Sequence, residues 1–349
     1  MRTIKKTPPR LVDDGRVVEF GAFEEPFREL NLGEAEIFGR CGKALRGLGR
    51  FRLKEWQHYG LIHPRHYFGM VIFDAKFMAI SFVYHFDRVN GGMQEHSRQA
   101  PGGKAEVAET MWRGECSFAA RGYSLTFENR LEEGYHRVRV DAAQTGRLPA
   151  VGGEFRMLED ISRYRPLVVV SPFSPNRPLY THKAACPVEG RMSVGGETIE
   201  LDPSRDVCLL DEQKAFYPYK SFWRWLCFGG FGPDGKLIAA NLCHNIIADD
   251  EEYSENCYWV DGGINLTGAA RFGYSEDDIL GPWFVKTTDG MVDVDFRPQG
   301  ERAERMRVGP ILSDFHQPFG LFRGSVGEGE GAVEVRDIFG LCEQHITRY

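Results

Sequence analysis

The sequence places two glutamates beside residues with which they could carry out acid–base chemistry. Glu343 and His345 stand two positions apart, so on a strand both side chains project from one face, with α-carbons about 7 Å apart. Glu255 comes shortly before the aromatic segment 257–260, and burial against aromatic rings would raise its pKa. A carboxyl kept protonated in this way could donate a proton at neutral pH. Spacing alone favours a plainer interpretation, in which the pair lies on a solvent-facing strand and Glu255 is a loop acid.

A group of aromatic residues at strand-like spacing could form the wall of an apolar pocket. Trp223 and Trp225 share one face of a strand by the same period of two, and Tyr217 and Tyr219 precede them. Such a wall could also stabilise a cation through the faces of its rings. The two indoles could equally be plain core, because aromatic side chains dominate core packing in general.

Further polar residues complete the set of candidates. His316 and Gln317 are followed by Pro318 and then Gly320, a context in which a histidine is commonly a loop residue that hydrogen bonds the backbone. The amides of Asn241 and Asn256 and the acid Asp211 occur in similar aromatic surroundings. The candidate catalytic residues are Glu255, Glu343, His316 and His345, and the candidate ligand-binding residues are Asp211, Tyr217, Tyr219, Trp223, Trp225, Asn241, Asn256 and Gln317.

Motifs for metals, nucleotides and serine nucleophiles are missing from the sequence. There is no HExxH, no facial-triad spacing and no Cys/His set, and Pro64 argues against a helix that would bring His63 and His66 to one face. Lys104 follows two glycines without the rest of a phosphate loop, and neither GxGxxG nor GxSxG occurs. We therefore expect no metal site and no cofactor, and we disfavour nucleotide hydrolases, dinucleotide dehydrogenases and α/β serine hydrolases.

The composition is that of a globular protein with room for two domains. The 349 residues are 42% hydrophobic and 27% charged, with a net charge of −7 and no basic stripe, so we expect no nucleic-acid partner. No run approaches the roughly 20 apolar residues of a membrane helix, and the basic N-terminus has no apolar stretch of a secretory signal behind it. The eight cysteines form no CxxC pair and are expected to be reduced, which indicates a cytoplasmic protein.

Strands must position most of these side chains, because strand periodicity dominates the chain. Apolar residues occupy alternate positions in segments 80–86 and 123–127, which is typical of half-buried strands. Helix signals are weak: residues 34–48 could form one short helix, but glycines recur there and each is unfavourable. We expect a mainly β, antiparallel protein, built as a sandwich or closed barrel because open sheet edges invite aggregation.

A domain boundary is expected at the segment 171–178, which contains three prolines. Proline is excluded from central strands and suits a linker. The sequence therefore predicts a partly irregular N-terminal extension over residues 1–50, a first β domain over 51–175, and a second β domain over 176–349. We expect the pocket in this second domain or between the two domains.

Several strings occur in one order over roughly residues 49–345, and together they resemble a bacterial family known only as domain of unknown function 2804. Any one of these strings would be weak by itself, whereas their order is fairly specific. They are Tyr217-Pro218-Tyr219, Trp223 with Trp225, Asn241-Leu242, Glu255-Asn256, Asp261-Gly262, Pro282-Trp283, Phe296-Arg297-Pro298, His316-Gln317 with Phe319-Gly320, and Gly340 with Glu343 and His345.

The family in turn is distantly similar to two-domain lipocalin-like proteins, which include carotenoid hydratases and tocopherol-cyclase relatives. This similarity implies two lipocalin-like (calycin-type) barrel or half-barrel units with little helix. It also implies a cofactor-free enzyme, or a carrier, for long apolar molecules.

The leading hypothesis is therefore proton transfer from Glu255 or Glu343 to an isoprenoid- or lipid-like alkene, in a hydration, cyclisation or isomerisation. The tryptophans and Tyr217 would stabilise the cation, either histidine would orient the acid or receive the last proton, and the amides would position water or a ligand oxygen. The alternative is a carrier without chemistry, in which the acids pair with arginines such as Arg224 and Arg297. The sequence leaves the oligomeric state open.

Overall fold

A computed structural model describes residues 2–348 of the chain, with 61% of the protein in strands and 5% in helix. Alternating apolar residues favour extended backbone because every second side chain can then enter a core, and the mainly β, antiparallel fold expected from this pattern is confirmed. In chain order the strands are β1 (Ile4–Lys5), β2 (Val12–Asp13), β3 (Arg16–Val17), β4 (Gly21–Phe23), β5 (Lys54–Ile62), β6 (His66–Asp74), β7 (Met78–Asp87), β8 (Met93–Pro101), β9 (Gly114–Ala120), β10 (Tyr123–Arg130), β11 (Tyr135–Ala142), β12 (Val151–Met157), β13 (Leu167–Ser174), β14 (Arg177–Val194), β15 (Glu197–Leu201), β16 (Val207–Ala215), β17 (Lys220–Phe231), β18 (Leu237–Asn245), β19 (Cys257–Val260), β20 (Gly263–Leu266), β21 (Ala270–Gly273), β22 (Trp283–Thr287), β23 (Val292–Val308), β24 (Ile311–Val326) and β25 (Val333–Arg348).

Helix is confined to short pieces. Within residues 2–348 there is one α-helix, α1 (Gly42–Gly49), which is shorter than the helix considered over residues 34–48. Gly39 interrupts that segment with a φ of 60°, a left-handed conformation that a right-handed α-helix cannot include. None of the described helices is long and apolar enough to cross a membrane. The 3₁₀ turns are Leu32–Glu34, Gly39–Cys41, Arg50–Arg52, Leu131–Glu133 and Gly329–Gly331.

Two large sheets make up the molecule, and each rolls up, giving one nearly closed barrel and one half-barrel. The first has 14 strands, with the main order β8-β7-β6-β5-β16-β14-β12-β11-β10-β9; β13 and β15 pair with β14, and the N-terminal β4 pairs with β13. The second has nine strands in the order β20-β19-β18-β17-β25-β24-β23-β22-β21. Both sheets are antiparallel apart from the short β1–β4 pair.

Three of the five apolar clusters among the described residues follow from the alternation of side chains across these sheets. The first sheet encloses one core, which contains Leu61 and Phe127, and the second sheet encloses another, which contains Phe228. A third core, with Ile62 and Leu341, lies where the outward faces of the two sheets meet. Neighbours such as Leu61 and Ile62 enter different cores because successive side chains on a strand point to opposite faces.

The proline-rich segment 171–178 is not a linker between sheets. Its residues form the closed end of the β13–β14 hairpin, where Pro172 pairs opposite Pro178 and the register shifts next to them. Proline is tolerated at the end of a strand and at a bulge, where no ladder hydrogen bond is lost. The first sheet then continues through β16, and the chain enters the second sheet between β16 and β17.

Candidate active site

A cavity of about 170 Å³ lies between the two sheets. Strands β5, β6, β7, β14 and β16 of the first sheet and β17, β18, β23, β24 and β25 of the second contribute side chains to its wall. Of the two positions that we considered for the pocket, this cavity corresponds to the one between the two units, since both halves of the chain line it. Most of its wall is aromatic or aliphatic, and a few buried polar groups converge on it, as in typical small-molecule sites.

The first sheet contributes a row of polar side chains from three adjacent strands. His58 of β5 lies opposite Asp211 of β16, and Asp211 lies opposite Lys183 of β14. Lys183 Nζ is 2.8 Å from Asp211 Oδ1 and 3.1 Å from Glu255 Oε2. All four side chains are buried. The register of three strands brings Lys183 and Asp211 together, and the loop before β19 adds the carboxyl of Glu255, out of contact with bulk water.

The ionisation of this group is governed by burial and by its ion pairs. Burial opposes the charge on Lys183, but the carboxylates of Asp211 and Glu255 outweigh it and raise the pKa of the lysine. Burial likewise raises the pKa of Glu255, and the neighbouring Lys183 limits the rise. Lys183 is therefore held in its charged form by its two carboxyl neighbours, because a buried charge is stable only when it is paired.

Hydrogen bonds fix the orientation of the two carboxylates. Trp56 Nε1 donates to Asp211 Oδ2 over 3.1 Å. Gln213 Nε2 lies 3.1 Å and 3.2 Å from the two oxygens of Glu255, and the Tyr217 hydroxyl donates to Gln213 Oε1. Each carboxylate is thus oriented by at least one donor in addition to Lys183.

The second sheet contributes a different kind of carboxyl. Glu343 of β25 lies opposite Trp225 of β17; its Oε1 accepts a 2.5 Å hydrogen bond from Trp223 Nε1 and its Oε2 a 2.8 Å bond from Gln317 Nε2. Tyr84 from the first sheet donates to Gln317 Oε1 over 2.7 Å, which fixes the amide. Within the described part of the chain Glu343 forms no salt bridge, and burial raises its pKa to about 7 although both hydrogen bonds oppose the rise.

His345 lies on the same face of β25 as Glu343 and also lines the cavity. Its Nε2 is 2.8 Å from Ser313 Oγ, and its ring packs edge-on against Trp223 with centroids 4.4 Å apart. Burial, with contributions from Arg302 and His316, lowers the pKa of His345 to about 3. The imidazole is therefore neutral at pH 7.

An aromatic cluster joins the two sheets across the cavity. Trp56 of the first sheet stacks on Tyr217 and on Trp223, with centroids 5.9 Å and 6.0 Å apart. Trp225 presents its ring to Lys183 Nζ at 4.8 Å and donates to Asn241 Oδ1 over 2.7 Å. Asn241 thus supports the wall from behind, and the expected aromatic face is part of the cavity.

Three of the candidate residues lie outside the cavity. His316 is on the opposite face of β24 from Gln317, and its Nδ1 is 2.5 Å from Glu301 Oε1. Tyr219 is 46% exposed and donates to Pro310 O. Asn256 is buried, but its amide accepts from Cys243 N and donates to Gly268 O, so it holds a loop in place. The other nine candidates line the cavity or, in the case of Asn241, support its wall.

Sequence reasoning missed residues contributed by the first sheet, above all His58, Lys183 and Gln213. Two signals were present: Trp56 and His58 alternate on one strand, and Lys183 interrupts the apolar strand 179–188. Their partners lie far away in the sequence, so only the strand register shows that they share a site. Among the described residues, no group of three or more His, Cys, Asp and Glu side chains has a geometry that could hold a metal ion.

The fold and the cavity define a class of mainly β protein in which two rolled sheets enclose a small-molecule site between them. The chain belongs to the family described as domain of unknown function (DUF2804), whose model matches residues 1–349. This confirms the resemblance found in the sequence. A comparison with curated protein sequences finds no match.

Solved structures with a similar fold include two of CghA. The one with Sch210972 is 10% identical with a TM-score of 0.55, and the other is 11% identical with a TM-score of 0.56; each match covers 85% of this chain and 88% of CghA. Kievitone hydratase from Nectria haematococca is 11% identical over the same shares of the two chains, with a TM-score of 0.46. At these identities the similarity to CghA is one of fold.

Proposed function

We propose that the protein binds a largely apolar small molecule in the cavity between its sheets and that Glu343 transfers a proton to or from this molecule. The reaction would be a hydration, a cyclisation or an isomerisation. The observation that carries the proposal is Glu343 itself: a buried carboxyl at the cavity wall, without a salt bridge among the described residues and with a pKa of about 7. A group with this pKa can act as an acid or a base at neutral pH.

The lining supports an apolar ligand. Phe73, Ile80 and Phe82 of the first sheet face Met306 and Phe315 of the second across the cavity. Side chains of this kind gain free energy by excluding water, roughly 25 cal/mol for each Å² of apolar surface buried. A ligand with a hydrocarbon body would bury this surface on both sheets.

The chemistry follows from the neutral form of Glu343. Its hydroxyl proton would pass to one carbon of an alkene, leaving a carbocation at the other carbon and a carboxylate on Glu343. The ring faces of Trp223 and Tyr217 would stabilise the cation. Addition of water followed by loss of a proton to the carboxylate gives hydration, and loss of an adjacent proton to the carboxylate gives isomerisation. Attack by a second group of the ligand, followed by loss of a proton from the cyclised cation to the carboxylate, gives cyclisation. Each course restores the acid.

Glu343 suits this role better than Glu255. Glu255 faces the same cavity, but Lys183 lies 3.1 Å from its Oε2 and favours the carboxylate. Of the candidate histidines His316 and His345, only His345 lines the cavity, where it can orient the ligand or water as a neutral imidazole.

A carrier without chemistry is the second candidate, and one observation favours it. Both oxygens of Glu343 already accept hydrogen bonds from the protein, and Asp211 and Glu255 share Lys183. Polar groups that are satisfied in this way require no reactive ligand. In a carrier they would shape the cavity and nothing more.

The two functions are separated by an experiment on the molecule that copurifies with the protein. Native mass spectrometry and solvent extraction identify it, and incubation with the purified protein shows whether it is converted. We expect Glu343→Gln to retain binding and to reduce conversion by about 100-fold or more, as for loss of a general acid. Glu301→Gln, an acid outside the cavity, serves as the matched control. A molecule that stays unchanged with the wild-type protein would establish the carrier.

A further inference from the structure

His58 is the one cavity-lining histidine that is both buried and without any hydrogen-bond partner among residues 2–348. It is 3% exposed, and neither Nδ1 nor Nε2 contacts a protein donor or acceptor. A neutral imidazole carries one N–H donor and one acceptor nitrogen, and buried polar atoms in proteins are nearly always satisfied. A group that is not part of the protein is therefore the natural partner of this side chain.

The neighbours of His58 cannot provide that partner. Asp211 lies opposite it in β16, but its two oxygens accept from Lys183 and Trp56. Val71 lies opposite it in β6 and has no polar side-chain atom. Trp225 meets the ring edge-on with centroids 5.9 Å apart, and its own N–H is bonded to Asn241. The imidazole thus lines the cavity, and both of its nitrogens are buried without a partner.

The charges at this end of the cavity indicate what kind of polar group fits. The positive charge of Lys183 is shared between two carboxylates, and Glu343 faces the same space. The other cation of the lining, Arg302, is likewise paired with two carboxylates, those of Glu95 and Glu304. Burial lowers the pKa of His58 to about 4, so the imidazole adds no positive charge. An anionic group would meet a surplus of acid here, whereas a neutral hydroxyl or carbonyl would meet an N–H donor.

The strand register also gives the ligand a direction. In β5, β6 and β7 the row of His58 is followed by a row with Phe73 and Ile80, and then by Phe77 and Met78 at the β6–β7 turn. Phe77 is 44% exposed, so this turn lies at the mouth of the cavity. The polar end is therefore deep, and the apolar end leads outward.

We infer that His58 determines ligand specificity by donating a hydrogen bond to a neutral hydroxyl or carbonyl oxygen, while the apolar body of the ligand extends towards the β6–β7 turn. The inference rests on the proposed binding function of the cavity and names the substrate class: apolar molecules with one neutral oxygen function. It requires no particular reaction at Glu343.

Three probes with the same ring system test it by calorimetry at pH 7: naphthalene, 2-naphthol and 2-naphthoate. We expect the wild-type protein to bind 2-naphthol about 10-fold more tightly than the other two, the effect of one hydrogen bond. His58→Phe should remove this preference and leave the affinity for naphthalene unchanged, and His58→Gln, which keeps a donor, should restore part of it. Circular dichroism of each variant checks that the fold is retained.

The possible failures are distinguishable. If naphthalene and 2-naphthol bind equally well, or if His58→Phe weakens both to the same extent, His58 only packs and the inference is wrong while the cavity still binds ligands. Tightest binding of 2-naphthoate would show an anion site and would also overturn it. If none of the three probes binds, the binding function itself fails, and the inference fails with it.

Discussion

The molecule buries two glutamates, Glu159 and Glu343, in two settings with different partners. Glu159, in the interior of the first sheet, has its Oε2 2.8 Å from His136 Nε2 and its Oε1 2.7 Å from His182 Nε2, and all three side chains are 0% exposed. Glu343, at the cavity between the sheets, has two neutral donors in place of the histidines. Both residues are buried, with 0% exposure for Glu159 and 5% for Glu343, and they differ in their partners and in the cavity beside Glu343.

The partners reverse the effect of burial on each carboxyl. Burial opposes the charge of Glu159, but His182 and His136 outweigh it and lower the pKa to about 2. At Glu343 burial prevails and raises the pKa to about 7. The comparison teaches that a buried acid is structural when cationic partners fix its charge, and becomes available for proton transfer when neutral donors hold it beside a cavity.

The largest effect on stability is expected at Glu159. Glu159→Leu leaves two buried histidines without their shared acceptor, so the free energy of unfolding should fall by about 3–5 kcal/mol. Glu343→Gln keeps the shape and a hydrogen-bonding amide and should lower it by less than about 1 kcal/mol. Denaturant unfolding at pH 5.5 measures both. Equal losses in the two variants would show that the two settings do not differ in the way that we describe.

The pH dependence of stability should have opposite signs at the two sites. The folded-state pKa of Glu343 is raised, so the native protein holds this proton more tightly than the unfolded chain does. The contribution of Glu343 to the free energy of unfolding is therefore lost as the pH rises from about 4.3 to 7. The folded-state pKa of Glu159 is lowered, so its contribution is present above about 4.3 and is lost as the pH falls towards 2.

Difference measurements isolate each group from all others. The unfolding free energy of Glu343→Gln relative to wild type should rise by roughly 2–3 kcal/mol between pH 4.5 and pH 8. The deficit of Glu159→Gln should instead shrink below pH 4, as Glu159 is protonated, and should also shrink at the alkaline end as the pH rises through the raised pKa of His182. A relative stability of Glu343→Gln that stays flat with pH would mean that Glu343 is ionised throughout, and the proposed acid would be lost with it.

Trp223→Phe should sharpen the comparison by removing one neutral donor from Glu343. The hydrogen bond from Trp223 favours the carboxylate, so its loss should raise the pKa of Glu343 by about one unit, equivalent to about 1.4 kcal/mol. The pH profile of ligand conversion, or direct NMR titration of the carboxyl, would report the shift. Phe315→Leu is the control, since it changes the aromatic surroundings and contributes no donor.

The smallest effects are expected at Tyr219 and His316, two candidate residues that lie outside the cavity. Tyr219→Phe and His316→Ala should change ligand affinity and conversion by less than about 2-fold, because surface changes away from the site are usually within 0.5 kcal/mol. Isothermal calorimetry with the copurifying molecule measures the affinity. A larger effect from His316→Ala would restore this residue to the list of functional groups.

Much of the fold was predictable because it depends on local alternation. The segments 80–86 and 123–127 fall in strands as their apolar spacing indicates, and Glu343 and His345 do share a face. The boundary at 171–178 was not predictable, because prolines suit a hairpin end as well as a linker. Composition cannot distinguish these two uses.

The candidate site was predictable only on its second-sheet side. For Trp223, Trp225 and Glu343, the period of two within their own strand indicates which neighbouring side chains share a face. The cluster of Lys183 with Asp211 and its neighbour His58 depends on the pairing of β14, β16 and β5, and β5 is remote in sequence from the other two. For His316 and Gln317, the following proline suggested a loop, so the sequence did not reveal which of the two side chains faces inward.

One topological detail bears on how the protein reaches its working state during synthesis. The strand that carries Glu343, β25, follows all the other described strands in sequence, yet it lies between β17 and β24 in the second sheet. A nascent chain that ends before residue 333 therefore has β17 and β24 made but no strand to join them. The cavity can close, and its acid can be desolvated, only after that final insertion, so chains that stop early are expected to expose the apolar wall to chaperones and proteases.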